Sequence, residues 1–241
     1  MDTAQLEERY QALALEWQHT QPPSGPRPIP DEAAFLAARA EVDAIRAAGH
    51  WVSGPGDLLS ILGRQRDELF HSRLIGWLLR PNGRHGLGNR FARAFFAEIW
   101  PGEEIDTGGG IAVELERTRS GRSDATGRTV EARADLVVSL ESLVIVIENK
   151  LDAGEGHDQC ERLYWPWSRD AVETRWVFLT PSGREQVTAT SEVARAAWTS
   201  AGYGQVMRAL ETALSTAPDL GDAPGRSSAR QYLATLHVQA H

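Results

Sequence analysis

The chain runs on two hydrophobic periods, and the change between them sets the expected architecture. Residues 3–18 place Leu6, Tyr10, Leu13 and Trp17 at i, i+4, i+7 and i+11, the spacing of one helix face. The segment TQPPSGPRPIP follows, with five prolines between residues 20 and 30, and reads as a stiff extended connector. Asp31 is placed to cap a second helix over about 32–48, which Gly49 ends. Further helices are expected over 55–63, 65–80 and 88–100. In the second of these, Phe70, Leu74, Trp77 and Leu78 share one face, while Glu68, Ser72, Ile75 and Leu79 share another. Pro81 and the Asn82-Gly83 turn signal stop it at Arg80.

The period then shortens to two. Ile111–Arg117 alternates as a strand does, Ser120–Gly127 reads as a loop, and Thr129–Leu140, Leu143–Asn149 and Arg175–Thr180 read as three more strands. A helix over about 155–168 separates the last two, and helices over 203–215 and 226–239 end the chain. The order predicts an α/β fold with a four-stranded mixed sheet flanked by helices. Residues 1–50 form a helical extension with its proline-rich connector, and 51–241 form the domain that holds the sheet.

Composition narrows the function classes. The 241 residues, 41% apolar and 24% charged, suit one buried core. The longest aliphatic run, Leu143–Ile147, is far too short to span a bilayer, and the first residues lack the basic and apolar regions of a signal peptide. The single Cys160 excludes an intramolecular disulfide framework and a thiolate zinc cluster, and reads as an inert helix residue. A cytoplasmic protein with no membrane partner is expected. The net charge of −8 argues against a general basic coat for nucleic acid. Two segments run against it: residues 64–93 hold seven Arg against Asp67 and Glu68, and residues 117–133 hold five Arg against Asp124 and Glu131. Arg119 and Arg122, in the second segment, are candidate nucleic-acid contacts.

Of 25 basic residues, 24 are Arg; the only lysine is Lys150. A compact ammonium at one position marks a site where the planar guanidinium fork does not serve. Its neighbours support this. If Glu141-Ser142 is a two-residue turn between the second and third strands, facing positions sum to 283, and Asp135 lies opposite Glu148. A four-residue turn keeps that pairing and a three-residue turn breaks it. Lys150, two beyond Glu148, points to the same face. Two such close carboxylates repel unless neutralised, and a hard divalent cation is the usual neutraliser. Magnesium, or manganese, at two carboxylates with a lysine alongside points to phosphodiester hydrolysis.

Asp135, followed by Glu148-Asn149-Lys150 at the end of an apolar strand, resembles the PD-(D/E)xK nuclease superfamily. The flanking motifs Glu68-x-x-His71-Ser72, WLLRPNGRHGLGNRF, ENKLDAGEGHDQ and FLTPSGRE are similar to one branch of it, the uncharacterised bacterial PD-(D/E)xK nucleases. The resemblance spans about residues 55–215. It implies a restriction-endonuclease-like core and a metal held by Asp135, Glu148 and the backbone carbonyl of Asn149. It also implies that Lys150 serves the nucleophilic water and that Glu68 adds a further acidic group. Ala134 stands where the family has Pro. Related nucleases place Gln and Tyr four apart on the helix after the lysine. Here Gln159 precedes Tyr164 by five, which turns the tyrosine away by about 140°, so Gln159 is carried over and Tyr164 is not. The implied activity is a metal-dependent nuclease acting on DNA, with a role in defence against foreign DNA. The alternative is a non-catalytic or partner-dependent binding module on the same fold, in which a partner subunit delivers substrate.

One substitution tests the lone lysine. Lys150→Arg is expected to keep a melting temperature close to wild type while cleavage falls about a hundredfold or more, the size of one lost transition-state contact. Cleavage at the wild-type rate would remove Lys150 from the chemistry.

Overall fold

The computed structural model describes residues 31–49, 54–124, 126–170, 172–217 and 225–239. The expected helix over 3–18 and the connector over 20–30 lie outside them. Chain contacts divide the protein into two units, Met1–Ser53 and Gly54–His241. In the first, α1 (Glu32–Ala47) begins where Asp31 accepts a hydrogen bond from the Ala34 N–H at 2.7 Å, and none of its residues is buried. In the second, the order is α2 (Leu58–Ile61), α3 (Glu68–Leu79), α4 (Arg90–Ile99), β1 (Ala112–Arg122), β2 (Thr129–Ser139), β3 (Leu143–Asn149), α5 (Gln159–Tyr164), β4 (Glu173–Thr180), α6 (Glu192–Ala197), β5 (Trp198–Gly202), α7 (Tyr203–Thr216) and α8 (Arg226–Gln239). No helix among the described residues is long and apolar enough to cross a membrane.

The sheet has five strands in the order β1-β2-β3-β4-β5, not the four expected. β1 and β2 are antiparallel, as are β2 and β3, whereas β4 and β5 run parallel to β3. The added strand, β5, is five residues long and follows a six-residue helix directly, so it carries neither an alternating pattern nor a turn signal before it. β1 also continues to Arg122, through residues expected in the loop.

β3 is central, and its Val and Ile run is buried on both sides, as a strand covered by helices on both faces must be. On one face, Ile145 and Ile147 of β3 with Leu136 and Val138 of β2 meet Ile75 and Leu78 of α3, the phenylalanines of α4, Val206 and Leu210 of α7 and Leu236 of α8. On the other, Val144 and Val146 with Trp176 and Phe178 meet Cys160, Leu163 and Trp167 in and after α5. The site is therefore built at the carboxyl end of a strand that cannot shift sideways without opening two cores. The β1–β2 hairpin closes onto the second layer at Gly121, where a Cβ would lie 2.6 Å from Cα of Pro166.

Candidate active site

The hairpin register follows the expected pairing. Leu136 faces Ile147, Val137 faces Val146, Val138 faces Ile145 and Ser139 faces Val144, all summing to 283. Val137 and Val146 lie on the α5 side, so the next pair outward, Asp135 and Glu148, shares that side.

The pleat of β2 is irregular just beyond this pair. Ala132 and Ala134 pack on the α5 side, yet Leu136 and Val138, at the same even spacing, pack on the opposite side. The alternation slips by one at Asp135, so Ala134 and Asp135 face the same way. Across from Asp135 in β1, Glu116 takes the left-handed conformation with φ 50°, rare for a non-glycine residue in a strand. The register of β1 on β2 is the same on both sides of this point, so the irregularity is a local kink without an inserted residue. Arg133 holds Glu116 there with an ion pair at 3.1 Å.

Glu148 has no exposed surface. Its Oε1 accepts hydrogen bonds from Gln159 of α5 and from Lys150, whose Nζ is 3.2 Å away. Its Oε2 is buried with no partner. Asp135 accepts from the Asn149 backbone N–H at 2.9 Å. Lys150 Nζ also lies 3.4 Å from Glu68 Oε2, and the other Glu68 oxygen accepts from the Leu151 N–H at 2.9 Å. Glu68 reaches the strand end because Asp67 caps α3, accepting from the Leu69 and Phe70 N–H groups, which makes Glu68 the first helical residue. The expected face of that helix is observed, with Ser72, Ile75 and Leu79 all buried.

The structure thus brings together Asp135, Glu148, Lys150, Glu68 and Gln159, with Asn149 among them. It does not bring in Arg119 and Arg122. They pair with Ala132 and Thr129, three and six residues along β2 from Asp135, roughly 10 and 20 Å of strand. Arg119 is held by Asp170 through both terminal nitrogens, at 2.7 and 2.8 Å, over the face of Trp167. Arg122 is exposed and has no partner among the described residues.

A family model described as the PD-(D/E)XK nuclease superfamily matches residues 56–223, a span that contains all six clustered residues. The chain belongs to the PD-(D/E)XK nuclease superfamily. No curated protein and no solved structure matches it.

In this superfamily member the electrostatics of the cluster are set chiefly by burial. Burial, then the facing Asp135 charge, pushes the Glu148 carboxyl up to about 8, and Lys150 offsets only part of that. Burial also raises Asp135, against the Asn149 N–H that favours its charged form. Burial would lower Lys150, but the Glu148 and Glu68 carboxylates outweigh it and raise the ammonium above its ordinary value. The surrounding carboxylates therefore favour the charged ammonium of Lys150 over the neutral amine.

The described residues hold no group of three or more His, Cys, Asp or Glu placed for a metal. Two carboxylates with an orphaned oxygen form a sparser set that suits magnesium, which takes one or two protein carboxylates and fills the rest of its octahedron with water and phosphate.

Sequence reasoning missed what fixes Asn149. Its side-chain amide donates to the Glu68 carbonyl at 3.1 Å and to the Ser72 hydroxyl at 3.0 Å, and it accepts from the Tyr203 hydroxyl at 2.9 Å. His71 lies beneath, donating from Nε2 to the Gln65 carbonyl and bonded through Nδ1 to Tyr232. Burial lowers its pKa and keeps it neutral. That Ser72 and Tyr203 would meet Asn149 was not legible, since they lie 77 and 54 residues from it. Asn89 stands at the start of α4, but its side chain does not cap the helix and donates to Thr107 instead.

The pH behaviour of the metal-free protein follows. The folded pKa of Glu148 lies above its value of 4.5 in the unfolded chain, so the folded state binds the extra proton between about 4.5 and 8. Its contribution to stability is complete below the lower value and is lost as pH rises through the upper one. Chemical denaturation in chelator from pH 5 to 8 is expected to show stability falling by up to about 1.4 kcal/mol per pH unit from this group. Glu148→Gln should flatten the slope, and an unchanged slope would place the proton elsewhere.

Proposed function

We propose that the chain is a metal-dependent nuclease that hydrolyses phosphodiester bonds in DNA, using magnesium or manganese, in the cytoplasm and in defence against foreign DNA. The observation that carries this reading is the buried, unpartnered Oε2 of Glu148 on the same side as Asp135. An apolar interior penalises such an oxygen unless a proton or a cation satisfies it. With Asp135, Glu148 and the Asn149 carbonyl as its ligands, a hard cation would supply charge stabilisation to a bound phosphate. The chain's own groups do the rest. Lys150 presents a preorganised positive charge where charge develops on the phosphate. Glu68 holds Lys150 and the chain beyond it in place. Gln159 engages one oxygen of Glu148 and leaves the other free.

A second reading, that a partner subunit delivers the nucleic acid, has an observation in its favour. The basic hairpin of residues 117–133 is largely neutralised within the chain: Arg117 pairs with Glu114, Arg119 with Asp170 and Arg133 with Glu116. That leaves Arg122, with Arg128 beside it, for nucleic-acid contact, and Arg119 as the residue that ties the hairpin to the second layer.

Adding magnesium or manganese is expected to raise the melting temperature by binding the folded state, and Asp135→Ala should abolish the rise. Wild-type protein should cleave DNA in a screen of single- and double-stranded DNA and RNA, only with metal, and Asp135→Ala should not. An equal metal-induced rise in both proteins would remove the site. Metal binding without cleavage of any substrate would favour the partner-dependent reading.

A further inference from the structure

Glu155 lies in the loop after β3, outside any helix or strand, yet its side chain is only 2% exposed. A buried carboxylate in a loop needs its lone pairs filled, and these are. Oε2 accepts from the Thr188 hydroxyl at 2.7 Å, the Thr188 N–H at 3.1 Å and the Val187 N–H at 3.0 Å; Oε1 accepts from Arg184 at 2.6 Å. Burial raises the carboxyl pKa, and these bonds, Arg184 foremost, bring it back below the ordinary range. Glu155 is thus a charged clamp between the loop after β3 and the loop after β4.

Its position along the chain gives the clamp a consequence. The next residue, Gly156, donates its N–H to Gln159 Oε1 at 2.9 Å and accepts the Gln159 N–H at 3.1 Å. With Oε1 engaged, the Gln159 amide has one orientation, its NH2 toward Glu148 Oε1. Thr188 completes the arrangement. The hydroxyl that donates to Glu155 accepts the Cys160 N–H at 3.1 Å, holding the start of α5. At six residues that helix is too short to hold itself. A continuous path runs from Arg184 and Thr188 through Glu155, Gly156 and Gln159 to Glu148.

We propose that Glu155 is a positioning residue: by fixing Gly156 it orients the Gln159 amide onto Glu148 Oε1 and thereby keeps Oε2 of Glu148 open for the cation. The role of the open oxygen rests on the metal site proposed above; the orientation of Gln159 does not. Glu161 supplies the control. It is a second buried carboxylate that ties α5 to the loop after β4, accepting from Trp165, Thr190 and Ser191, but it makes no bond to the side chain of Gln159 or to Gly156.

The experiment uses the full chain with Mn2+ as the probe. Glu155→Gln keeps the shape but sets an amide NH2 against a donor in either orientation, Arg184 on one side or the Val187 and Thr188 N–H groups on the other. By calorimetry its Mn2+ Kd is expected to weaken about tenfold, the loss typical of a residue that orients a ligand. Glu161→Gln should lower the melting temperature comparably and leave the Mn2+ Kd within about twofold. In metal-free protein, a double-mutant cycle of Glu155→Gln with Gln159→Ala should depart from additivity by about 3 °C in melting temperature, whereas Glu161→Gln with Gln159→Ala should be additive. Should Glu155→Gln fold poorly, Thr188→Val, which removes the 2.7 Å bond, carries the same expectations. Additive effects in the Glu155–Gln159 cycle would overturn the positioning role, as would equal Mn2+ losses in both carboxylate variants. Failure of the wild-type chain to bind Mn2+ would instead overturn the metal reading.

Discussion

One oxygen atom constrains the rest of the site. Glu148 stands at the end of the most buried strand of the sheet, with no access to water, and its Oε2 has no hydrogen-bond partner. Leaving a buried acceptor unpaired costs roughly 1–3 kcal/mol, and more if it is charged. Without a cation the penalty is limited by protonation, because burial and the nearby Asp135 favour the neutral acid. The protein thus holds a local arrangement that is poor for its own stability and suited to a hard cation, the kind of conflict that functional sites preserve.

The surrounding structure makes that arrangement durable. Asp135 follows Val137 and Glu148 follows Val146 by the ordinary period of two, so both carboxylates share one side, while Glu116 across from Asp135 takes the left-handed conformation. Asn149 is anchored through its side chain to two elements, α3 and α7, so the chain leaves β3 in one direction. Lys150 then lands between Glu148 and Glu68. Asp135 in particular is fixed by Asn149, which is itself buried and fully bonded, the kind of support that holding groups to fractions of an ångström requires.

How much of this could be read from the sequence depended on whether the cause was local. The core of the sheet was legible because β3 is a continuous Val and Ile run and Glu141-Ser142 is a tight turn, which together set the register and hence the pairing of Asp135 with Glu148. The lone lysine among 24 arginines pointed to the same place. β5 was not legible: five residues directly after a short helix show no period. The partners of Asn149 and Glu155 come from segments 29 to 81 residues away, and no periodicity encodes such meetings. For Arg119, charge patterning marked a basic segment but could not show that Asp170, 51 residues on, occupies its guanidinium. Local charge counts report where arginines are, not which of them are free.

The most direct measurement is a manganese soak of crystals of the full chain, followed by anomalous scattering at the manganese edge. The account predicts a peak in contact with Oε2 of Glu148 and a carboxylate oxygen of Asp135, and no such peak in crystals of Glu148→Gln. A wild-type crystal with that oxygen still unpartnered under saturating manganese, or with the metal bound only elsewhere, would contradict it.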